Sequence, residues 1–339
     1  VHPIVVAMST PTDAVSGTVT YLTICFIGIP FITSYNIISS IFRGLGDSKS
    51  PMCFIATACA ANIALDYLFM GVLHLGPAGA ALGTTLSQAI SVVVSLTVIL
   101  KRRSIVLKKS DFKPCRAVMG KILGIGIPIA FQDGLIQVAF IIITIIANQR
   151  GLNDAAAVGI VEKVISFLFL VPSSMLSTVS ALGAQNIGAG KPERAIQTLR
   201  YAVMLAAGFG VLASIAIQFT AEGIVSLFTD PSTADGAAVV RFGGQYLRGY
   251  IFDCIFAGIH FSFSGFFCAC RKSGLSFLHN IFAIVLMRVP GVYVTSKLFP
   301  ATLLPMGLAT AAGSLLSVVI CLIAFGVIRR KSTLVLVEE

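Results

Sequence analysis

Residues 122–147 read ILGIGIPIAFQDGLIQVAFIIITIIA, an unbroken apolar stretch with a single charged side chain, Asp133. A helix needs about 20 apolar residues to cross the roughly 30 Å hydrocarbon core of a bilayer, so this stretch predicts a membrane-spanning helix. The whole chain of 339 residues has the same character, since 56% of its residues are hydrophobic and 11% are charged. A mean hydropathy of +0.94 excludes an ordinary soluble domain, in which about 25% of residues are charged.

Nine apolar runs of spanning length, bounded by charged residues or by Gly and Pro, predict an all-α polytopic membrane protein. The runs cover 20–43, 51–73, 78–100, 122–147, 156–182, 198–219, 240–268, 273–297 and 303–328. No soluble domain fits between them. Residues 4–8 are apolar but too few to span, and we interpret them as the end of a further helix.

Basic residues gather on alternate connections between the runs. Most of the 24 Lys and Arg residues lie on one side, at positions 43–49, 101–121, 191–200, 271–272 and 329–331. Short cytoplasmic loops carry an excess of Lys and Arg, which predicts a multi-pass protein of the plasma membrane with its C-terminus in the cytoplasm. The net charge of +10 therefore reflects mainly the orientation of the chain in the membrane. The charge does not indicate nucleic-acid binding, because the basic residues lie between apolar runs and do not line a polar face.

The first three apolar runs can be aligned with the last three. Tyr21-Leu22 then falls opposite Tyr246-Leu247, and Gly79–Thr84 lies close to the position opposite Gly307–Thr310. Both blocks enter from the same side, which predicts a parallel repeat of the kind found in secondary transporters. A complete two-lobed bundle would have twelve helices, of which about nine are present, so three are expected before Val1. The predicted domains are 1–100 (half of the N-lobe), 101–121 (a cytoplasmic linker), 122–331 (the C-lobe) and 332–339 (a cytoplasmic tail).

Several short motifs resemble those of the multidrug and toxic compound extrusion (MATE) transporters. They are Tyr35-Asn36, Arg43–Pro51, Asn62–Asp66, Gly79–Thr84 and Ala184–Lys191. The resemblance implies an antiporter that exports small organic cations and draws on a Na⁺ or H⁺ gradient. In that family the N-lobe cation site uses an acid of the first helix, which this chain does not contain.

Two acids lie near the middle of apolar runs. An ionisable group at that depth costs several kcal/mol and marks a functional site by default, so Asp253 and Asp133 are the candidate cation and substrate sites, with Na⁺ as one expected ligand. Gln132 and Gln137 (i+4) are expected to supply polar ligands to Asp133. His260, two turns from Asp253, is interpreted either as a titrating partner or as an interhelical hydrogen bond.

Other charged and polar residues leave two interpretations open. Asp133 or Asp253 could instead form a buried ion pair with Arg248 or Arg288, and Arg288 is expected to form a structural salt bridge. Glu162-Lys163 either snorkels outward or forms a gate. In the N-lobe, Asn36, Asn62 and Asp66 are either the remaining half of a proton or substrate site or interhelical hydrogen bonds.

Several other classes of function do not fit the sequence. The four His residues show no H-x-x-x-H spacing, and the Gly-rich loops lack a phosphate-binding pattern, so neither an enzyme, a nucleotide partner nor a cofactor is expected, apart from a coupling ion. The chain is expected to be a monomer. Two alternatives stay open: a flippase of lipid-linked oligosaccharides with the same broad architecture, and a fragment unable to transport. A flippase needs a cationic cavity, and four cations lie within the runs: Lys163, Arg241, Arg248 and Arg288.

Overall fold

The structure is a computed structural model that describes residues 1–2, 12–102 and 113–330. Within these ranges all regular elements are helical, and nine helical segments are long and apolar enough to cross a membrane. The predicted all-α polytopic fold is therefore confirmed. The helices extend beyond the predicted runs, because polar and charged turns continue a helix past its apolar part. The predicted segment 4–8, the tail 332–339 and residues 103–112 of the predicted linker lie outside the described residues.

The chain forms two compact units, residues 1–114 and 115–339, here called the N-terminal unit and the C-terminal unit. In the N-terminal unit, α1 is Thr12–Gly44, α2 is Lys49–Asp66 and α3 is Gly76–Arg102. The helix α2 continues as a π-helical turn, Tyr67–Val72. The helix α3 packs along both α1 and α2, which touch each other little.

Two contacts join the end of α1 to the start of α2. The rings of Phe42 and Phe54 meet edge to face with their centroids 5.5 Å apart. The turn between α1 and α2 is closed by Asp47, whose Oδ1 accepts hydrogen bonds from the backbone N–H groups of Lys49 (3.1 Å) and Ser50 (3.0 Å). Asp47 therefore satisfies two of the amide groups that a helix start leaves without partners.

The C-terminal unit contains the other six membrane-spanning segments. Its helices are α4 (Arg116–Asn148), α5 (Leu152–Leu168), α6 (Leu170–Gly188), α7 (Pro192–Ser226), α8 (Ala234–Tyr250), α9 (Phe252–Ala269), α10 (Ser273–Ala283), α11 (Val289–Leu298) and α12 (Leu304–Arg330). Three spans are interrupted: α5 and α6 form one span, α8 and α9 a second, and α10 and α11 a third, joined by the π-helical turn Ile284–Arg288. The predicted linker is shorter than 101–121, since α3 ends at Arg102 and α4 begins at Arg116.

The segment α8–α9 forms the centre of the C-terminal unit and is its most buried span. Its backbone approaches that of α12 closely, because a Cβ on Gly249 would lie 2.6 Å from the carbonyl oxygen of Leu304. The last three spans repeat the packing of the N-terminal unit. The third, α12, packs along both the first, α8–α9, and the second, α10–α11. The repeat found in the sequence therefore corresponds to a repeat of helix packing.

Candidate functional site

A buried ion pair lies in the middle of the C-terminal unit. Asp253, in the first turn of α9, is fully buried, and its Oδ2 accepts a hydrogen bond of 3.1 Å from Nη2 of Arg288. The same nitrogen donates to the hydroxyl of Tyr250 at 2.8 Å. Arg288 is the last residue of the π-helical turn, and its side chain is 12% exposed. A carboxylate and a guanidinium buried together are tolerated because each neutralises the other.

Aromatic rings flank the guanidinium of Arg288. Its central carbon lies 5.4 Å from the ring centroid of Phe140 and 5.8 Å from that of Tyr250, within the range of a cation–π interaction. Glu162 of α5 is a further electrostatic neighbour, and its Oε1 accepts a hydrogen bond of 3.4 Å from Thr144. Arg288 thus joins residues of α4, α5, α8 and α9.

The second carboxylate oxygen of Asp253 has free capacity. Oδ1 is buried and accepts no hydrogen bond, although the Ser314 hydroxyl of α12 lies near enough to interact with the carboxylate. The phenol of Tyr246, one turn before Tyr250, is also buried without a hydrogen bond, although the Thr310 hydroxyl of α12 lies near enough to interact with it. Carboxylate and hydroxyl oxygens are ligands that hard cations prefer. This arrangement can therefore hold a proton or a small cation on Asp253.

A second buried polar cluster lies further along α9 and α10. The Oε1 atom of Gln132 accepts a hydrogen bond of 2.6 Å from Ser276. His279 bonds to Ser264 through Nε2 at 2.8 Å and to Ser317 through Nδ1 at 3.2 Å. Because Ser317 Oγ donates to the backbone oxygen of His279, it accepts from Nδ1–H, and in the neutral imidazole Ser264 then donates to Nε2.

The structure separates His260 from Asp253. The His260 ring is buried and stacks edge to face on His279 with 5.5 Å between ring centroids, and its Nδ1 has no hydrogen-bond partner. No hydrogen bond joins it to Asp253 among the described residues. Among the described residues, His260 therefore has neither of its two predicted contacts, the one with a carboxylate and the interhelical hydrogen bond.

The three polar residues predicted around Asp133 do not share one face of α4. Asp133 and Gln137 are exposed, whereas Gln132 is buried against α10. The expectation that Gln132 supplies a ligand to Asp133 is wrong, because adjacent residues of a helix point about 100° apart. Asp133 and Asp253 consequently have different surroundings, one exposed and one buried.

Glu162 and Lys163 also differ, since Glu162 is half-buried near Arg288 and Lys163 is exposed. In the N-terminal unit, Asn36 is exposed, while Asn62 and Asp66 lie one turn apart on α2 and each has a buried side-chain atom without a hydrogen-bond partner. The Oδ1 atom of Asp66 lies against Gly83 of α3, where a Cβ would collide with it. Asn62 and Asp66 therefore lie on one face of α2, and no hydrogen bond joins their side chains.

Sequence reasoning missed the aromatic part of the site. Tyr246, Tyr250 and Asp253 follow the spacing i, i+4, i+7, which places all three on one face of a continuous helix. This spacing could have indicated the two tyrosines from the sequence alone. Nothing in the sequence distinguishes Phe140, because it is one of many apolar residues of α4. Within the described ranges, no three His, Cys, Asp or Glu side chains converge as metal ligands.

The fold and the buried charges define a multi-pass helical membrane protein of two units with an ion pair at the centre of the second. The family model MatE matches residues 1–68 and 128–294, more than half of the chain. The chain belongs to the MatE family.

Among its relatives, the Probable multidrug resistance protein YpnP of Bacillus subtilis (strain 168) is 30% identical over 306 residues, which are 90% of this chain. The FAD transporter of Shewanella oneidensis is 27% identical over 85% of this chain. The chain spans 66% of the length of each of these two relatives. The crystal structure of MATE in complex with MaL6 has a TM-score of 0.89 at 20% identity, covering 98% of this chain and 74% of that one. This likeness shows the fold.

Proposed function

We propose that the protein is a secondary active transporter that exports small organic cations from the cell in exchange for Na⁺ or H⁺. The observation that carries this proposal is the geometry of Asp253, which is fully buried in the middle of a membrane span, paired with Arg288 through Oδ2 and without a hydrogen bond at Oδ1. Membership of the MatE family and the name of the 30% identical relative support the same function.

The pair couples the two cations through charge. With Asp253 ionised, the pair is neutral and its burial is tolerated. A proton or Na⁺ on Asp253 leaves the positive charge of Arg288 without compensation in a medium of low dielectric constant, which costs several kcal/mol. A second cation bound nearby would then be repelled. The coupling ion and the organic cation therefore exclude each other, and mutual exclusion is what antiport requires.

Acidic side chains outside the pair would attract the organic cation. Asp133 and Gln137 are exposed on one face of α4, and Glu162 is half-buried one helix away. An exposed acid in a membrane span normally faces a cavity or a partner. We assign the substrate's positive charge to Asp133 and Glu162, and the coupling ion to Asp253.

The observed ion pairs weigh against the flippase alternative. That function needs uncompensated cations to hold a pyrophosphate, but Arg248 pairs with Glu222 at 2.9 Å and Arg288 with Asp253 at 3.1 Å. Two of the four cations within the spans are thus neutralised.

Ethidium efflux from vesicles tests the proposal, driven first by a pH gradient and then by a Na⁺ gradient. Asp253→Asn keeps the shape of the side chain and removes its charge, so gradient-driven efflux should fall at least tenfold. Asp235→Asn, at the start of α8, is the matched control and should transport normally. Unchanged efflux in a folded Asp253→Asn protein would refute the role of Asp253.

A second experiment tests whether a chain of this length transports. The 339-residue chain and the relative YpnP are assayed side by side, because the chain spans 66% of that relative's length. Efflux by YpnP with none by the folded 339-residue chain would support the alternative of a fragment unable to transport. Efflux by neither protein, with both folded, would refute export of this substrate.

A further inference from the structure

An apolar groove lies at one end of the C-terminal unit, between α7, α9 and α12. Its volume is about 500 Å³, and its walls include Val203, Met204, Phe263 and Phe325, with Arg200 at its edge. A second groove of about 590 Å³ lies on the other side of α12 and combines apolar walls with a single cation, Lys272. Both volumes fall within the range of about 300–1,000 Å³ that is typical of small-molecule sites.

The charge of Arg200 is available to a ligand. None of the ion pairs formed by the described residues includes it. Its neighbours one turn away on the same face of α7 are Ile196, Gln197, Val203 and Met204, which are uncharged. Glu193 lies two turns away on that face and is in none of the ion pairs of the described residues. The groove therefore pairs an uncompensated guanidinium with an apolar floor.

The position of Arg200 along α7 matches the edge of a bilayer. The helix has 35 residues, which is roughly 52 Å at about 1.5 Å per residue. A hydrocarbon core of about 30 Å leaves roughly 11 Å of the helix outside at each end. Arg200 lies eight residues after Pro192, about 12 Å along the axis, which in a helix centred on the bilayer is the boundary between the hydrocarbon core and the headgroup region.

We propose that this groove binds one anionic phospholipid, with its phosphate on Arg200 and one acyl chain along the apolar floor. The proposal depends on charge complementarity: an anionic headgroup satisfies the guanidinium, which repels an organic cation. Arginine binds phosphate with two parallel hydrogen bonds, and basic pockets between membrane helices suit anionic headgroups. The Lys272 groove offers the same chemistry with a weaker, single-point contact.

Lipid binding is measured on the purified full chain in detergent by native mass spectrometry, with phosphatidylglycerol and phosphatidylcholine titrated separately. We expect the wild type to bind phosphatidylglycerol about fivefold more tightly than phosphatidylcholine. This factor corresponds to the attraction of about 1 kcal/mol between one basic residue and an anionic membrane surface. Arg200→Gln should abolish this preference, and Arg200→Lys should retain part of it.

Arg194→Gln is the matched control, because Arg194 is an exposed arginine at the same end of α7 that does not line the groove. It should keep the wild-type preference. Equal loss in both glutamine variants would overturn the proposal, since it would indicate a diffuse basic surface. An unchanged preference in Arg200→Gln would also overturn it. So would a rise in lipid affinity on deletion of residues 331–339, which would make the tail the resident occupant.

Discussion

Separating Asp253 from Arg288 provides the most direct test of the buried pair. The two charged atoms are 3.1 Å apart, and the side chains are 0% and 12% exposed. With an effective dielectric constant of about 20, two unit charges at this distance attract by roughly 5 kcal/mol. Removing one partner also leaves the other charge buried without a counter-ion, so the expected loss of stability in either single variant is about 3–5 kcal/mol.

The double variant separates the pair's coupling from the burial cost. Asp253→Asn leaves an unpaired guanidinium, and Arg288→Met leaves an unpaired carboxylate. Asp253→Asn with Arg288→Met leaves neither charge. It should therefore be more stable than either single variant, with a coupling energy of at least about 2 kcal/mol, in the upper part of the range seen for residues in contact.

Thermal unfolding in detergent, followed by gel filtration, is the assay. A loss of about 3–5 kcal/mol corresponds to a fall of about 10 °C in Tm for a unit of this size. Glu222→Gln is the control, because it breaks the partly exposed pair with Arg248, whose side chains are 50% and 31% exposed, and pairs at such sites contribute about 1 kcal/mol or less. Additive effects of the two single substitutions would show that Asp253 and Arg288 do not stabilise each other.

Four other substitutions test the packing of the C-terminal unit by the same thermal assay. Gly307→Ala should destabilise by several kcal/mol because its Cβ would meet the backbone of α8, whereas Gly326→Ala, with open space around it in the same helix, should stabilise by about 0.4–1 kcal/mol; equal effects would contradict the close contact. Arg150→Lys should cost about 2–4 kcal/mol, because Arg150 donates hydrogen bonds to the backbone oxygens of Ser296 (2.6 Å) and Pro300 (2.9 Å), where α11 ends and the connection to α12 begins. An unchanged Tm would show that these hydrogen bonds do not stabilise the unit. Ser276→Ala should cost about 1–3 kcal/mol by leaving Gln132 Oε1 without its donor, and no cost would mean that another donor replaces it.

The sequence was sufficient for the fold because apolar length alone determines a membrane span. The run 122–147 could be placed within Arg116–Asn148 without knowledge of any neighbour. Helix ends were less predictable: α7 extends to Pro192 and Ser226, well beyond its apolar run, because a helix continues into water wherever its residues permit.

The site was only partly predictable. Depth in the span singled out Asp253 and Asp133; Asp253 lies in the central ion pair with Arg288, whereas Asp133 is exposed. The direction in which a side chain points was not available, because it depends on helix rotation within the bundle. Gln132 and Asp133 are adjacent in sequence yet face opposite environments, and His260 lies two turns from Asp253 but packs on His279.

The two units share one local arrangement that the sequence repeat does not reveal. Asp66 directly precedes the π-helical turn Tyr67–Val72 and lies against Gly83 of the following helix. Arg288 ends the π-helical turn Ile284–Arg288, and a Cβ on Gly313 of the following helix would lie 2.7 Å from its Cβ. In each unit the second helix contains a π-helical turn with an ionisable residue at one end, Asp66 before the first turn and Arg288 at the end of the second, and the third helix carries a glycine that lies against that residue. π-Helical turns occur frequently at functional sites, and they insert an extra residue that re-aims the side chains. The two units therefore share a π-helical turn beside a glycine of the following helix, with an acid at the turn in the N-terminal unit and a base in the C-terminal unit. These residues are not equivalent positions of the sequence repeat, because Asp66 and Arg288 are 222 residues apart whereas Tyr21 and Tyr246 are 225 apart, so each unit has placed its ionisable group at the turn independently of the aligned residues.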